Sequence, residues 1–155
     1  MSGSLRERAW QVLEMLAGPA RRLRLSLDRD HSLFPLQGGA FDDDVALLTI
    51  DAFLQRFQQV VDLTLRKLFP KLVAALELRE ERVALRPVLD RLEREGLIES
   101  ADWWSELNEL RNRLVHEYAM APDQRAAELN KAWSYAHGLL EQLEAIRRHL
   151  ERNDD

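Results

Sequence analysis

Apolar side chains recur along this chain at spacings of three and four, the period of a helix with one buried face. Leu5, Ala9, Val12, Leu13 and Leu16 share such a face in a first helix. Gly18-Pro19 is expected to interrupt it, with ARRLRLSL following at a new angle, because proline suits a helix start and not its interior. The stretch DRDHSLFPLQGGAF reads as a loop by its Pro, its Gly-Gly and its mixed polarity. Asp42, Asp43 and Asp44 cap the longest expected helix, where carboxylates complement free N–H groups and the helix dipole. Its apolar face is Ile50, Phe53, Leu54, Phe57, Val61, Leu65 and Leu68. Pro70 is expected to kink or end it, with KLVAALEL continuing beyond. Arg86-Pro87 opens a shorter helix with Gly96 near its end. Ser100 or Asp102 caps the next helix, and Ala121-Pro122-Asp123 breaks it. The last helix carries Leu129, Ala132, Trp133, Ala136, Leu140, Leu143, Ile146 and Leu150, close to a heptad repeat. No segment alternates like a strand. The pattern predicts an all-α fold, an antiparallel bundle of four to five helices forming one domain over residues 1–155.

Composition narrows the chemistry. Of 155 residues, 46% are apolar, enough for a real core, and glycine and proline are scarce. There is no cysteine, so a disulfide framework, a thiolate metal site and a cysteine nucleophile are all excluded. No stretch approaches the roughly 18 uncharged apolar residues of a membrane span, and MSGSLRERAW lacks the apolar run of a signal peptide. The expected compartment is the cytoplasm. A net charge of −5 argues against bulk polyanion binding and leaves room for a local basic patch.

One position breaks the apolar pattern. In LNELRNRLVHEY, the residues Trp103, Trp104, Leu107, Leu110, Leu114 and Val115 fall in one arc, and Arg111 lands near its middle. A guanidinium there costs free energy unless it is paired or faces a wet pocket. Asn108, Asn112 and His116 form a neighbouring row at spacing four, while Glu106, Glu109 and Arg113 are expected to point to solvent. Two readings fit. Arg111 is a buried arginine paired with an acid on the long helix, Asp51 or Asp62. Alternatively, arginine, histidine and asparagine are parts for phosphate chemistry: a proton carrier near neutral pH, a planar fork for phosphoryl charge and an orienting amide. One such set is sparse for cleaving RNA, and a two-fold dimer would double it. The apolar stripe would then be a subunit interface, with Arg111 opening into a cleft between protomers.

The remaining candidates are weaker. His31, His137 and His149 have no companions at ligand spacing and read as surface residues. His116-Glu117 begins like H-E-x-x-H, but Met120 stands where the second histidine belongs. Trp103-Trp104 reads as packing. Arg21, Arg22 and Arg24 form the densest basic cluster, with Arg111 and Arg113 a second; they are RNA contacts or a solvated face. There is no Gly-rich phosphate loop and no G-x-S-x-G, and no cofactor or metal is expected.

The run Arg111-Asn112-Arg113-Leu114-Val115-His116-Glu117-Tyr118 resembles the R-x4-H-x-Y signature of HEPN-domain proteins. It is particularly similar to the HepT toxins of HepT–MNT toxin–antitoxin pairs. The acidic-capped second helix and a motif helix late in the chain fit the same architecture. The resemblance implies a homodimeric helical bundle and a metal-independent endoribonuclease of a type VII-like toxin–antitoxin pair. By position it makes Arg111 and His116 the catalytic pair and Asn112 a supporting residue, with Asp51 a further supporting candidate from the ion-pair reading. Tyr118 corresponds to the tyrosine that a cognate nucleotidyltransferase modifies with AMP to silence the toxin. Some HEPN relatives are instead non-catalytic partners or substrate-binding subunits of a nucleotidyltransferase, and that alternative stays open at this point.

Overall fold

The computed structural model describes residues 3–77, 84–116 and 119–152, with side chains from Leu5 onward. Six α-helices carry the described residues: α1 (Gly3–Arg29), α2 (Asp44–Leu63), α3 (Phe69–Glu77), α4 (Leu85–Arg94), α5 (Ala101–His116) and α6 (Pro122–Arg152). None of the described residues is in a strand. A π-turn, Thr64–Leu68, joins α2 to α3 without a break, so the six helices make five rods packed as an all-α bundle.

The first departure from the sequence pattern is at Pro19, which lies inside a continuous α1. Gly18-Pro19 therefore does not divide the helix. Proline inside a helix costs about 3 kcal/mol locally. Here Ala9, Val12, Leu13 and Leu16 before it, and Leu23 and Leu27 after it, are all buried on one face. Burial of a leucine contributes roughly 2 kcal/mol, so a face that spans the proline outweighs the lost hydrogen bond. The Arg6 guanidinium also donates to the Leu150 carbonyl at 2.7 Å, tying the start of α1 to the end of α6.

The loop after α1 contains two short 3-10 turns and a cis Phe34-Pro35 bond. It is held from α6. Asn130 accepts from the Leu36 N–H at 2.7 Å and donates to the Leu36 carbonyl at 3.0 Å. Phe34 stacks on Trp133 with centroids 3.8 Å apart. The chain then enters α2 at Asp43, whose carboxylate accepts from the Ala46 N–H at 2.9 Å.

At the other proline the helix changes type. Pro70 has no N–H, and its ring presses on the preceding turn. The backbone answers by widening: the Phe69 N–H reaches back five residues to the Thr64 carbonyl. Widening also serves the core. Phe57, Val61, Leu65, Phe69 and Val73 recur every four residues and are all buried. In a regular helix each such step over-rotates by about 40°, and the wider turn takes up part of that drift. The expectation that KLVAALEL continues the helix holds through Glu77, with Leu78 outside the described residues.

α4 ends where Gly96 takes φ 75°, a left-handed conformation that glycine adopts without steric cost. The Gly96 N–H then bonds the Glu93 carbonyl at 3.1 Å and the Leu97 N–H bonds the Leu92 carbonyl at 3.0 Å. α5 starts doubly capped. Ser100 accepts from the Trp103 N–H at 3.2 Å, and the Glu93 carboxylate accepts from the Ala101 N–H at 2.6 Å. α4 and α5 are further joined by Arg86, whose guanidinium meets both Asp90 and Asp102.

Candidate active site

α5 presents its stripe inward. Trp104, Leu107, Leu110 and Leu114 are almost wholly buried within one chain. The stripe is therefore core, and the expectation of a subunit interface there is corrected. Trp103 lies half-buried against Tyr135, with its indole over Gly138, where a Cβ would come within 2.9 Å of the ring.

Arg111 sits at the rim of this core and is only 7% exposed. Its Nη2 donates to Asp62 Oδ2 at 2.7 Å, and its Nη1 donates to Asn112 Oδ1 at 3.3 Å. The Nε is buried with no hydrogen-bond partner among the described residues. Leaving a buried donor unpaired costs about 1–3 kcal/mol, so the site retains a guanidinium that is held but not saturated.

Asp62, in the last turn of α2, meets a second cation: Arg66 Nε lies 3.6 Å from Asp62 Oδ1. One carboxylate therefore gathers two guanidinium groups, from α5 and from the π-turn. This settles which acid meets Arg111. It is Asp62; Asp51, also a sequence candidate, is exposed. Eleven residues separate the two along the rod, roughly 16 Å at 1.5 Å per residue, and the level at which α5 crosses α2 makes the choice. Arg66 was missed by sequence reasoning. Its signal in the sequence is its spacing of four from Asp62.

His116 is the last residue of α5 and is exposed, with no hydrogen bond or ion pair recorded to another described residue. Five residues of helix put it roughly 140° around the axis from Arg111. Arg111 faces α2 and His116 faces solvent, so one chain does not bring them together. Asn108 and Asn112 lie between these directions, both half-buried. Glu117 and Tyr118 lie outside the described residues.

Arg113 is not a free cation. Its Nη2 pairs with Glu128 on α6 at 3.0 Å, and Glu106 accepts from the Tyr135 hydroxyl at 3.0 Å. Glu106 and Glu109 are exposed as expected, while Arg113 is half-buried where α5 borders α6. Arg21, Arg22 and Arg24 are exposed on α1, and none has a recorded ion pair among the described residues. Arg21 and Arg24, with Arg147, line a groove of about 260 Å³ between α1 and α6. His31 and His137 are exposed and His149 half-buried. Among the described residues no cluster of three or more His, Cys, Asp or Glu is placed to hold a metal ion, and no helix is long and apolar enough to cross a membrane.

The described residues form an all-helical bundle with a buried, carboxylate-held arginine and an exposed histidine on one late helix. Residues 36–150 match the family described as ribonuclease HepT-like. The chain belongs to the HepT-like ribonuclease family, within the HEPN superfamily. Searches of curated proteins and of solved structures find no match to it.

Proposed function

We propose that this protein is a metal-independent endoribonuclease, the toxin of a toxin–antitoxin pair, acting as a homodimer. The observation that carries the reading is the state of Arg111. It is nearly buried, clamped by Asp62, left with an Nε that has no partner among the described residues, and followed five residues later by an exposed imidazole. A single chain holds the two groups in different directions. A second copy that sets two α5 ends side by side brings two imidazoles and two guanidiniums to one groove. One His116 takes the 2′-hydroxyl proton as that oxygen attacks phosphorus. The other protonates the departing 5′-oxygen, leaving a cyclic phosphate and a free 5′-hydroxyl. The Arg111 pair stabilises the charge on the phosphoryl oxygens, with Asn112 steadying the guanidinium. The exposed Arg21, Arg22 and Arg24 are offered to RNA phosphates, whereas Arg113 is committed to Glu128.

Tyr118 stands two residues beyond His116 in the chain and is the proposed acceptor of AMP from a cognate nucleotidyltransferase. A nucleotide there adds bulk and negative charge next to the motif and competes with RNA phosphate for its cations.

The test is cleavage of single-stranded RNA in EDTA. The wild type is expected to cut RNA and spare DNA. His116→Ala is expected to lose about 10²-fold or more, the usual contribution of a proton-transfer group, with its thermal melt unchanged. A folded His116→Ala protein that cuts as fast as the wild type overturns the reading. Expressed alone in a bacterium, the protein is expected to arrest growth and His116→Ala to relieve the arrest. Normal growth together with stable capture of a nucleotidyltransferase would favour the non-catalytic partner instead.

A further inference from the structure

A groove of about 390 Å³ opens beside the Arg111 cluster, lined by Leu65, Arg66, Pro70, Leu85, Val88 and Asn108. Its volume falls within the roughly 300–1,000 Å³ of small-ligand sites. Two of the described residues that line it tie it to the candidate site. Arg66 shares Asp62 with Arg111, and Asn108 lies one helical turn before Arg111 on α5. Among the described residues the others are apolar: Leu65 and Pro70 from the π-turn and the start of α3, Leu85 and Val88 from α4.

We propose that this groove receives one base of single-stranded RNA, next to the phosphate held at Arg111; the inference rests on the ribonuclease reading above. The groove is mixed: its apolar side chains suit a face of a flat heteroaromatic ring, and Arg66 and Asn108 supply its polar side. A half-buried asparagine amide carries one donor and one acceptor side by side, the pairing that reads a base edge. Arg66, with its side chain 62% exposed, stands where a flanking phosphate would pass. Sequence-specific RNA recognition works in this way, on unstacked bases hydrogen-bonded at their edges. The geometry makes Asn108 the residue that reads the base and Leu85 and Val88 the residues that shape its seat.

Two measurements test it on the full chain. In NMR titrations with each of the four nucleoside 3′-monophosphates, at least one is expected to shift the Asn108 amide and the Leu85 and Val88 methyls. Leu85→Trp, which fills the groove from the start of α4, is expected to suppress those shifts. Ribose 5-phosphate is the control without a base. If no nucleotide shifts these groups, or if ribose 5-phosphate shifts them equally, the groove does not bind a base. In the second measurement, cleavage of a randomised single-stranded RNA pool is expected to show a base preference next to the cut. Asn108→Ala is expected to flatten it about tenfold, the usual discrimination of a paired amide contact. An unchanged preference in Asn108→Ala overturns the proposal while leaving the nuclease intact. Base-dependent shifts in a protein that cuts no RNA would remove the nuclease and leave the groove as a nucleotide site.

Discussion

At the scale of single residues, the misfit that sequence alone exposes is Arg111, and its cause is now specific. It answers Asp62, and Asp62 also answers Arg66. Breaking such a pair from its two ends is unequal. Asp62→Ala leaves a nearly buried guanidinium without its short carboxylate contact and is expected to cost about 3 kcal/mol. Arg111→Met removes the charge and the unpaired Nε together. It is expected to be close to neutral for stability while abolishing cleavage. Urea unfolding of both variants checks the order, and a larger loss for Arg111→Met would sink this account. Tyr135 adds a pH effect. Burial first, and then the Glu106 carboxylate that its hydroxyl meets, raise its pKa above the ordinary 10.0. The folded state holds that proton more tightly than the unfolded state. The resulting stability is complete below pH 10 and lost as pH climbs through the raised value. Tyr135→Phe is expected to show a flatter loss of thermal stability above pH 10 than the wild type, with melting curves recorded across that range as the check.

At the scale of elements, most helices could be read from period and caps. The buried faces of α1, α2 and α6 carry the apolar residues their spacing predicts, with Leu5, Leu54 and Trp133 half-buried at the edges. The two prolines could be read only in part, because local propensity says only that proline is costly: the break expected at Pro19 is absent, while the disturbance expected at Pro70 is present with the helix continuing beyond it. At Pro19 a buried face on both sides keeps the helix regular. At Pro70 the chain takes a wide turn instead. The signal for that turn was present in Phe57, Val61, Leu65, Phe69 and Val73, whose spacing of four does not suit a straight helix. Glu93, the cap that α4 lends to α5, had no local signal, since it acts across eight residues of sequence. Close packing of α5 on α6 depends on Gly138, where a Cβ would meet Trp103 Cζ2 at 2.9 Å. Alanine there gains helix propensity worth about 1 kcal/mol and loses more to overpacking against a large indole. Gly138→Ala is expected to lower stability by about 1 kcal/mol, read from denaturant midpoints.

At the scale of the whole molecule, the apolar stripe of α5 belongs to the chain's own core, so a dimer has to be built from other surface. Sequence could not make that distinction, because an apolar helix face looks the same whether it meets a neighbouring helix or a second copy. Large apolar side chains remain exposed elsewhere: Met15 and Leu25 on α1, and Val45, Leu47 and Leu48 at the start of α2. The composite site proposed above requires association. Sedimentation equilibrium is expected to give twice the chain mass of 18.1 kDa. A strict monomer that still cleaves RNA would show that one copy suffices. The acidic net charge conceals a local contrast, with the exposed Arg21, Arg22 and Arg24 on α1 and the paired cations Arg111 and Arg113 on α5.

The wide turn at Thr64–Leu68 has one more consequence. Asp62 lies just upstream of it, while Arg66 lies within it and Pro70 just downstream. The azimuth between the carboxylate that grips Arg111 and the wall of the neighbouring groove is thus fixed by how many amides the backbone spends there. Straightening that turn into a regular helix at the same chain length would swing its two halves out of phase by about 100°, one residue's worth of rotation, whereas losing one residue along with the widening would keep them nearly in phase. The width of one backbone turn, and not any side chain, is what aligns the grip with its groove.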